Sequence, residues 1–159
     1  MRWDAFEAAC PEIAERARAR FSADELVLLG TLRRDGSPRI SPCEIDFAAG
    51  RLMVGMMWRS RKALDLMRDP RVVVHSVPSD KTNLGGDVKL YGTAIDEQDP
   101  AVREAYVAAI QARLDWRPEE PFHIFSLDVA EASFIVFGEE RFVLTWSPAR
   151  GLRRAEAPH

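Results

Sequence analysis

The sequence predicts a mainly β, α+β domain: six to seven mostly antiparallel strands closed into a small barrel, with one short internal helix and two flanking helices. Three observations carry this prediction. Between residues 25 and 57 three apolar runs of strand length follow one another with only tight turns between them. Further β-branched and aromatic runs recur over 71–77, 87–95 and 122–146, whereas helical periodicity is confined to 3–21, the segment after Ser60, and 100–114. A barrel is the economical arrangement because closure removes exposed strand edges.

The chain has 159 residues, 47% hydrophobic and 30% charged, which suits one domain with a real core. We read a single domain over 1–159, with an N-terminal amphipathic helix at 1–21, a barrel core at 25–146 and a C-terminal tail at 147–159, loose beyond about Arg154. In the first helix Trp3, Phe6, Cys10, Ile13, Ala14 and Ala17 recur at helical spacing, with a break expected near Pro11. Its four acids argue against a transit peptide.

Strands are expected at 26–33, 37–47 and 51–57. Asp35-Gly36 forms a hairpin signal between the first two, and 48–50 makes the next turn. Pro38 and Pro42 cannot donate ladder hydrogen bonds, so the second strand is an edge, bulged, or opened where a ligand approaches. Asp69-Pro70 stops the short internal helix, whose Ala63, Leu64 and Met67 are expected to face inward. "RVVVHSV" and "DVKLYGTAI" are strands separated by a polar loop at 79–86. Asp99-Pro100 opens a helix with Val102, Tyr106, Ile110 and Leu114 on one face. "FHIFSLDVAEASFIVFGEERFVLTW" supplies the closing strands, turning at Gly138-Glu139-Glu140.

Several function classes lose support at this level. A net charge of −3 and a pI near 5.7 leave no cationic excess for a nucleic acid. No apolar run reaches membrane-spanning length, there is no export signal, and two cysteines make no disulfide framework, so the cytoplasm is expected. His75, His123 and His159 lie far apart with no ligand-spaced partner, so no metal site is expected, and His75 reads as a structural histidine in an apolar strand. Phosphate-loop, dinucleotide and nucleophile-elbow motifs are absent, and Cys43 reads as a small apolar filler, so no catalytic residue is legible.

One stretch does not fit a plain scaffold. "MMWRSRKALDL" starts a helix with Ser60 in N-cap position yet places Arg59, Arg61 and Lys62 at an end that carries partial positive charge. Either these cations are solvated or paired with Asp65 or Asp69, or they and the unpaired backbone N–H groups receive a phosphate.

The ordered set "LLGTLRRDGSPRISPCEIDF", then "GRLMVGMMWRSRKALDLMRDPRVVVHS", resembles the FMN-binding split-barrel family of pyridoxamine 5′-phosphate oxidase and its relatives, and the likeness continues more weakly to about residue 146. The resemblance implies a split barrel and a flavin-type cofactor, FMN or alternatively the deazaflavin coenzyme F-420. It also implies a homodimer with the cofactor at the subunit interface, and hydride transfer to or from a small-molecule substrate. A non-catalytic carrier of a flavin or haem-type ligand is the alternative function. By position, the resemblance assigns the phosphate to Ser60, Arg61 and Lys62 beside Arg59, and the ribityl chain and ring to Met56, Met57 and Trp58. It sets Arg39, Ile40, Ser41 and Pro42 along the ring. Asp87 stands where oxidases carry a Gln flavin contact, with Lys89 as a substitute cation; Trp146 and Arg150 either cover the cofactor from the partner subunit or, for Trp146, close the barrel. The Arg-Leu-His-type substrate motif of true pyridoxamine phosphate oxidases is missing from "TWSPARGLRRAEAPH".

Overall fold

The computed structural model describes residues 1–78, 85–137 and 141–156. The expected turn at 138–140 and most of the expected loop at 79–86 lie outside the described residues. Eight strands are described: β1 (Leu26–Leu32), β2 (Pro38–Ala48), β3 (Arg51–Met57), β4 (Arg71–Ser76), β5 (Asp87–Asp96), β6 (Phe122–Val136), β7 (Phe142–Ser147) and β8 (Gly151–Glu156). They form one sheet in the order β3-β2-β1-β4-β5-β6-β7-β8, every pairing antiparallel. Because β3 also pairs with β6, the first six close into a barrel, and β7 and β8 extend the sheet beyond the closure.

Four helices flank it: α1 (Trp3–Ala9), α2 (Pro11–Asp24), α3 (Arg61–Arg68) and α4 (Pro100–Leu114). The N-terminal helix breaks where expected, with Pro11 in the first turn of α2. Trp3, Phe6, Ile13 and Phe21 are fully buried against the barrel, each contributing about 1.5–3 kcal/mol of apolar burial. A second cluster joins α4 to β3 and β6 through Tyr106, Ile110, Met53 and Ile124.

Two expectations are corrected. The segment expected as a tail forms a strand over 151–156, because Gly151 takes a left-handed φ of 62° and lets β8 fold back on β7, pairing Ser147 with Gly151 through to Phe142 with Glu156. Every residue of β8 is exposed, which is why its arginine-rich pattern gives no strand signal. In α3 the buried residues are Ala63, Asp65 and Leu66, while Leu64 and Met67 face outward. The inward pull on Asp65, described below, rotates the helix away from the face that hydrophobicity alone would bury.

Candidate functional site

The site grows out of the place where the barrel comes apart. β2 pairs with β1 along 38–44 but meets β3 only over Ile45 to Ala48; β3 pairs with β6 from Met53 to Met57, and beyond Val54 it has no β2 partner. The first half of β2 is therefore an edge, which explains its prolines. The Pro42 carbonyl accepts a hydrogen bond from Lys62 Nζ at 2.8 Å, so at this residue the backbone faces the open side, where a missing N–H costs nothing. Cys43 Sγ donates across the split to the Gly55 carbonyl at 3.4 Å. Burial pushes the Cys43 thiol up, and the neighbouring Lys62 ammonium offsets this only in part.

A cleft of about 860 Å³ fills the split, within the range of small-molecule and cofactor sites. It is lined by Pro42, Met56, Met57, Trp58 and Lys62 together with Tyr106, Ile110, Trp116, Glu119 and Phe122. Tyr106 is fully buried, and burial followed by the nearby Asp46 charge pushes its phenol up, so it remains protonated. Gly55 is required here because a Cβ would overlap the Tyr106 hydroxyl. Arg113 anchors α4 to β2 with two hydrogen bonds to Asp46, at 3.1 and 3.0 Å, and one to Glu25 at 3.0 Å. Trp58 stacks on buried His123 with ring centroids 4.4 Å apart.

Beside this cleft lies a second recess of about 560 Å³, lined by Arg33, Arg34, Arg39, Arg61 and Arg68 with Asp35 and Asp65. Asp65 organises it. Its carboxylate accepts from Arg39 Nε at 2.6 Å, from Thr31 Oγ1 at 3.1 Å and from Arg68 at 3.2 Å. Burial alone would raise this carboxyl, but the three donors outweigh it and hold Asp65 below the usual range.

Ser60 occupies the N-cap position of α3, yet its side chain makes no capping bond and its Oγ is buried without a partner. The first-turn N–H groups of α3 thus remain uncapped beside Arg61 and Lys62. Arg59 enters the helix with a left-handed φ of 53°, an uncommon conformation for a residue with a Cβ. Asp65 and Asp69 are engaged by Arg39, Arg68 and Arg71, so neither pairs with Arg59, Arg61 or Lys62.

The site residues expected from sequence fall into groups. Arg39 and Arg61 line the arginine recess; Pro42, Met56, Met57, Trp58 and Lys62 line the cleft. Ser60 stands at the α3 start, and Arg59, Ile40 and Ser41 are neighbours in the chain, Ile40 being 72% exposed on the outer sheet face. Lys89 lies apart: the pairings Pro42–Leu28–His75–Lys89 place it three strands away on the same face, roughly 14 Å. Trp146, on β7 beyond the closure, is only 5% exposed and packs edge-on against Phe6 of α1 at 5.0 Å. Asp65, Tyr106, Glu44, Trp116 and Phe122 had no signal as site residues. A carboxylate flanked by buried Ala63 and Leu66, and a Trp in the proline-rich "WRPEEP", are the cues that point to them in hindsight.

A family model described as pyridoxamine 5'-phosphate oxidase matches residues 13–136. The chain belongs to the pyridoxamine 5'-phosphate oxidase family. A search of curated proteins gives no match. Among solved structures, this family member is similar to Campylobacter jejuni ChuZ, with TM-score 0.74 and 13% identity over 94% of this chain and 65% of that one. It is similar to a pyridoxamine 5'-phosphate oxidase-related, FMN binding protein from Nostoc punctiforme, with TM-score 0.65 and 16% identity over 97% of each chain. It also resembles a heme binding protein from Mycobacterium smegmatis, with TM-score 0.65 and 21% identity over 92% of this chain, which spans 58% of the mycobacterial protein. At these identities the likeness shows the fold. Among the described residues no helix is long and apolar enough to cross a membrane, and no His, Cys, Asp and Glu cluster suits a metal.

Proposed function

We propose that the chain binds a flavin-type cofactor, FMN in the first instance, and serves hydride transfer to or from a small organic substrate. The carrying observation is the uncapped start of α3: a buried Ser60 hydroxyl without a partner, beside Arg39, Arg61 and Lys62. Arg61 faces the arginine recess and Lys62 the apolar cleft, so a phosphate there directs a ring into the cleft. When bound, the flavin supplies the acceptance and release of a hydride. The chain's own residues do the rest. Asp65 fixes the Arg39 guanidinium, the Pro42 carbonyl holds Lys62, and Met57 and Trp58 offer an apolar surface that keeps water from the ring.

The deazaflavin coenzyme F-420 is the alternative cofactor. A carrier using the cleft without turnover is the alternative function. The reading takes the protein as a cytoplasmic homodimer with the cofactor at the interface; the exposed Ile40, Met57 and Tyr91 suit a covered face, and buried free Cys10 and Cys43 suit a reducing compartment. Lys89 then reaches a cofactor only across that interface.

FMN and F-420 titrations followed by fluorescence test this. Wild type should bind one of them saturably. Arg61→Ala with Lys62→Ala should weaken it about 100-fold, since two charge-assisted hydrogen bonds are worth roughly 3 kcal/mol together, with melting unchanged. Undiminished binding by the double variant would remove the phosphate assignment. NADPH- or reduced-F-420-dependent turnover separates enzyme from carrier.

A further inference from the structure

Besides the cofactor strip, the cleft has a second set of lining residues with a different chemistry. It comes from α4 and the connection at 115–122: Tyr106, Ile110, Trp116, Glu119 and Phe122, with Glu44 of β2. We propose that this part of the cleft receives a planar, apolar organic cation, a ring bearing a quaternary or protonated nitrogen, and turns away phosphorylated compounds. The inference rests on the flavin reading only for calling that ligand a substrate.

Charge carries the argument. Among the described residues Lys62 is the one cation lining the cleft; it belongs to the cofactor strip and is held by the Pro42 carbonyl. Two carboxylates line the same cleft. Glu119 makes no ion pair among the described residues, and Glu44 meets only Arg113, at 3.7 Å. Arg113 is already bound by Asp46 and Glu25 at 3.0 Å each, so three carboxylates share one guanidinium and this part of the cleft stays negative. A phosphate entering this apolar space would confront that charge with no arginine to receive it. The five arginines lie in the neighbouring recess instead.

Aromatic surface points the same way. Trp58 and Trp116 are each 52% exposed, large π-faces left open at the cleft, and one face of Trp58 is stacked on His123. Indole faces paired with carboxylates attract cations through the ring quadrupole and through charge together, more strongly where water is excluded. A flat ring with a positive nitrogen satisfies both features at once.

Three probes of one size test this: benzyltrimethylammonium, benzyl alcohol and benzyl phosphate, titrated into cofactor-free and FMN-treated protein and read by tryptophan fluorescence and calorimetry. In FMN-treated protein, where the Arg61 and Lys62 receptor is filled, the ammonium should bind about tenfold tighter than the alcohol, and the phosphate should not bind. Glu44→Gln with Glu119→Gln should bring the ammonium down to the level of the alcohol while melting and FMN affinity hold, and Trp116→Ala should weaken both. Benzyl phosphate binding as tightly as the ammonium, or a preference that survives the double variant, would overturn the assignment. FMN failing to bind while the ammonium preference persists would sink the flavin reading and leave this one standing.

Discussion

Asp65 is buried on α3 yet held ionised by Arg39, Thr31 and Arg68, and the same contacts fix the guanidinium that faces the arginine recess. Asp65→Asn leaves Arg39 beside a neutral amide in a largely buried place, and a cost of roughly 3 kcal/mol is expected in urea unfolding. FMN affinity should fall as well, because Arg39 loses the brace that aims it. The pH dependence follows from the direction of the shift. A carboxyl lowered on folding stabilises the native state fully above its unfolded value near 4, and that contribution is lost as pH falls from there through the lower native value. The melting difference between wild type and Asp65→Asn should therefore be constant from about pH 8 to 5 and shrink below about pH 4. A difference that persists undiminished in acid would mean that ionisation of Asp65 is not what stabilises this corner. The sequence makes Asp65 look like one more surface charge because its three donors come from β1, β2 and the far end of α3, a convergence that no local pattern encodes.

At the scale of elements, the split depends on β3 passing close under α4. Gly55 is where they meet, and Gly55→Ala should cost about 1–3 kcal/mol by driving a methyl into the Tyr106 hydroxyl. Removing that hydroxyl relieves the overlap, so Gly55→Ala should cost clearly less in a Tyr106→Phe background, and a double-mutant cycle by urea unfolding measures the difference. Equal costs in both backgrounds would mean that the strand and helix relax apart rather than press together. Most strands were legible because alternation, the Asp35-Gly36 turn and β-branched runs are local signals. The prolines of β2 announce an open edge, but where the strand opens depends on where β3 stops pairing with β2, a long-range feature. The outward Leu64 and Met67 and the fully exposed β8 escape the sequence pattern for a related reason: hydrophobicity reports what is buried within one chain only when burial alone sets the face.

For the whole molecule, the apolar surface left outside the barrel is the informative feature. Ile40, Gly30, Val73 and Tyr91 lie opposite one another across β2, β1, β4 and β5, making a continuous outer row, with Ile40 and Tyr91 exposed. Gly30 leaves room in the middle of this row for the Val73 side chain, whose Cγ1 lies 2.5 Å from where a Cβ of residue 30 would be, so Val73 carries the apolar surface there. An apolar row of this kind continuing toward the cofactor cleft suits a second copy of the chain better than water, and a stable interface of standard size would bury about 1,200–2,000 Å² in all. The protein should sediment as a dimer at micromolar concentration. Ile40→Arg with Tyr91→Arg should shift it to monomer with its circular dichroism retained, since both side chains already point away from the core. If the cofactor lies between two copies, the monomeric variant should also bind FMN more weakly, although neither substitution touches Arg61 or Lys62. A monomeric wild type that binds FMN at full stoichiometry would instead place the whole cofactor site within one chain and leave the outer row without a role in binding.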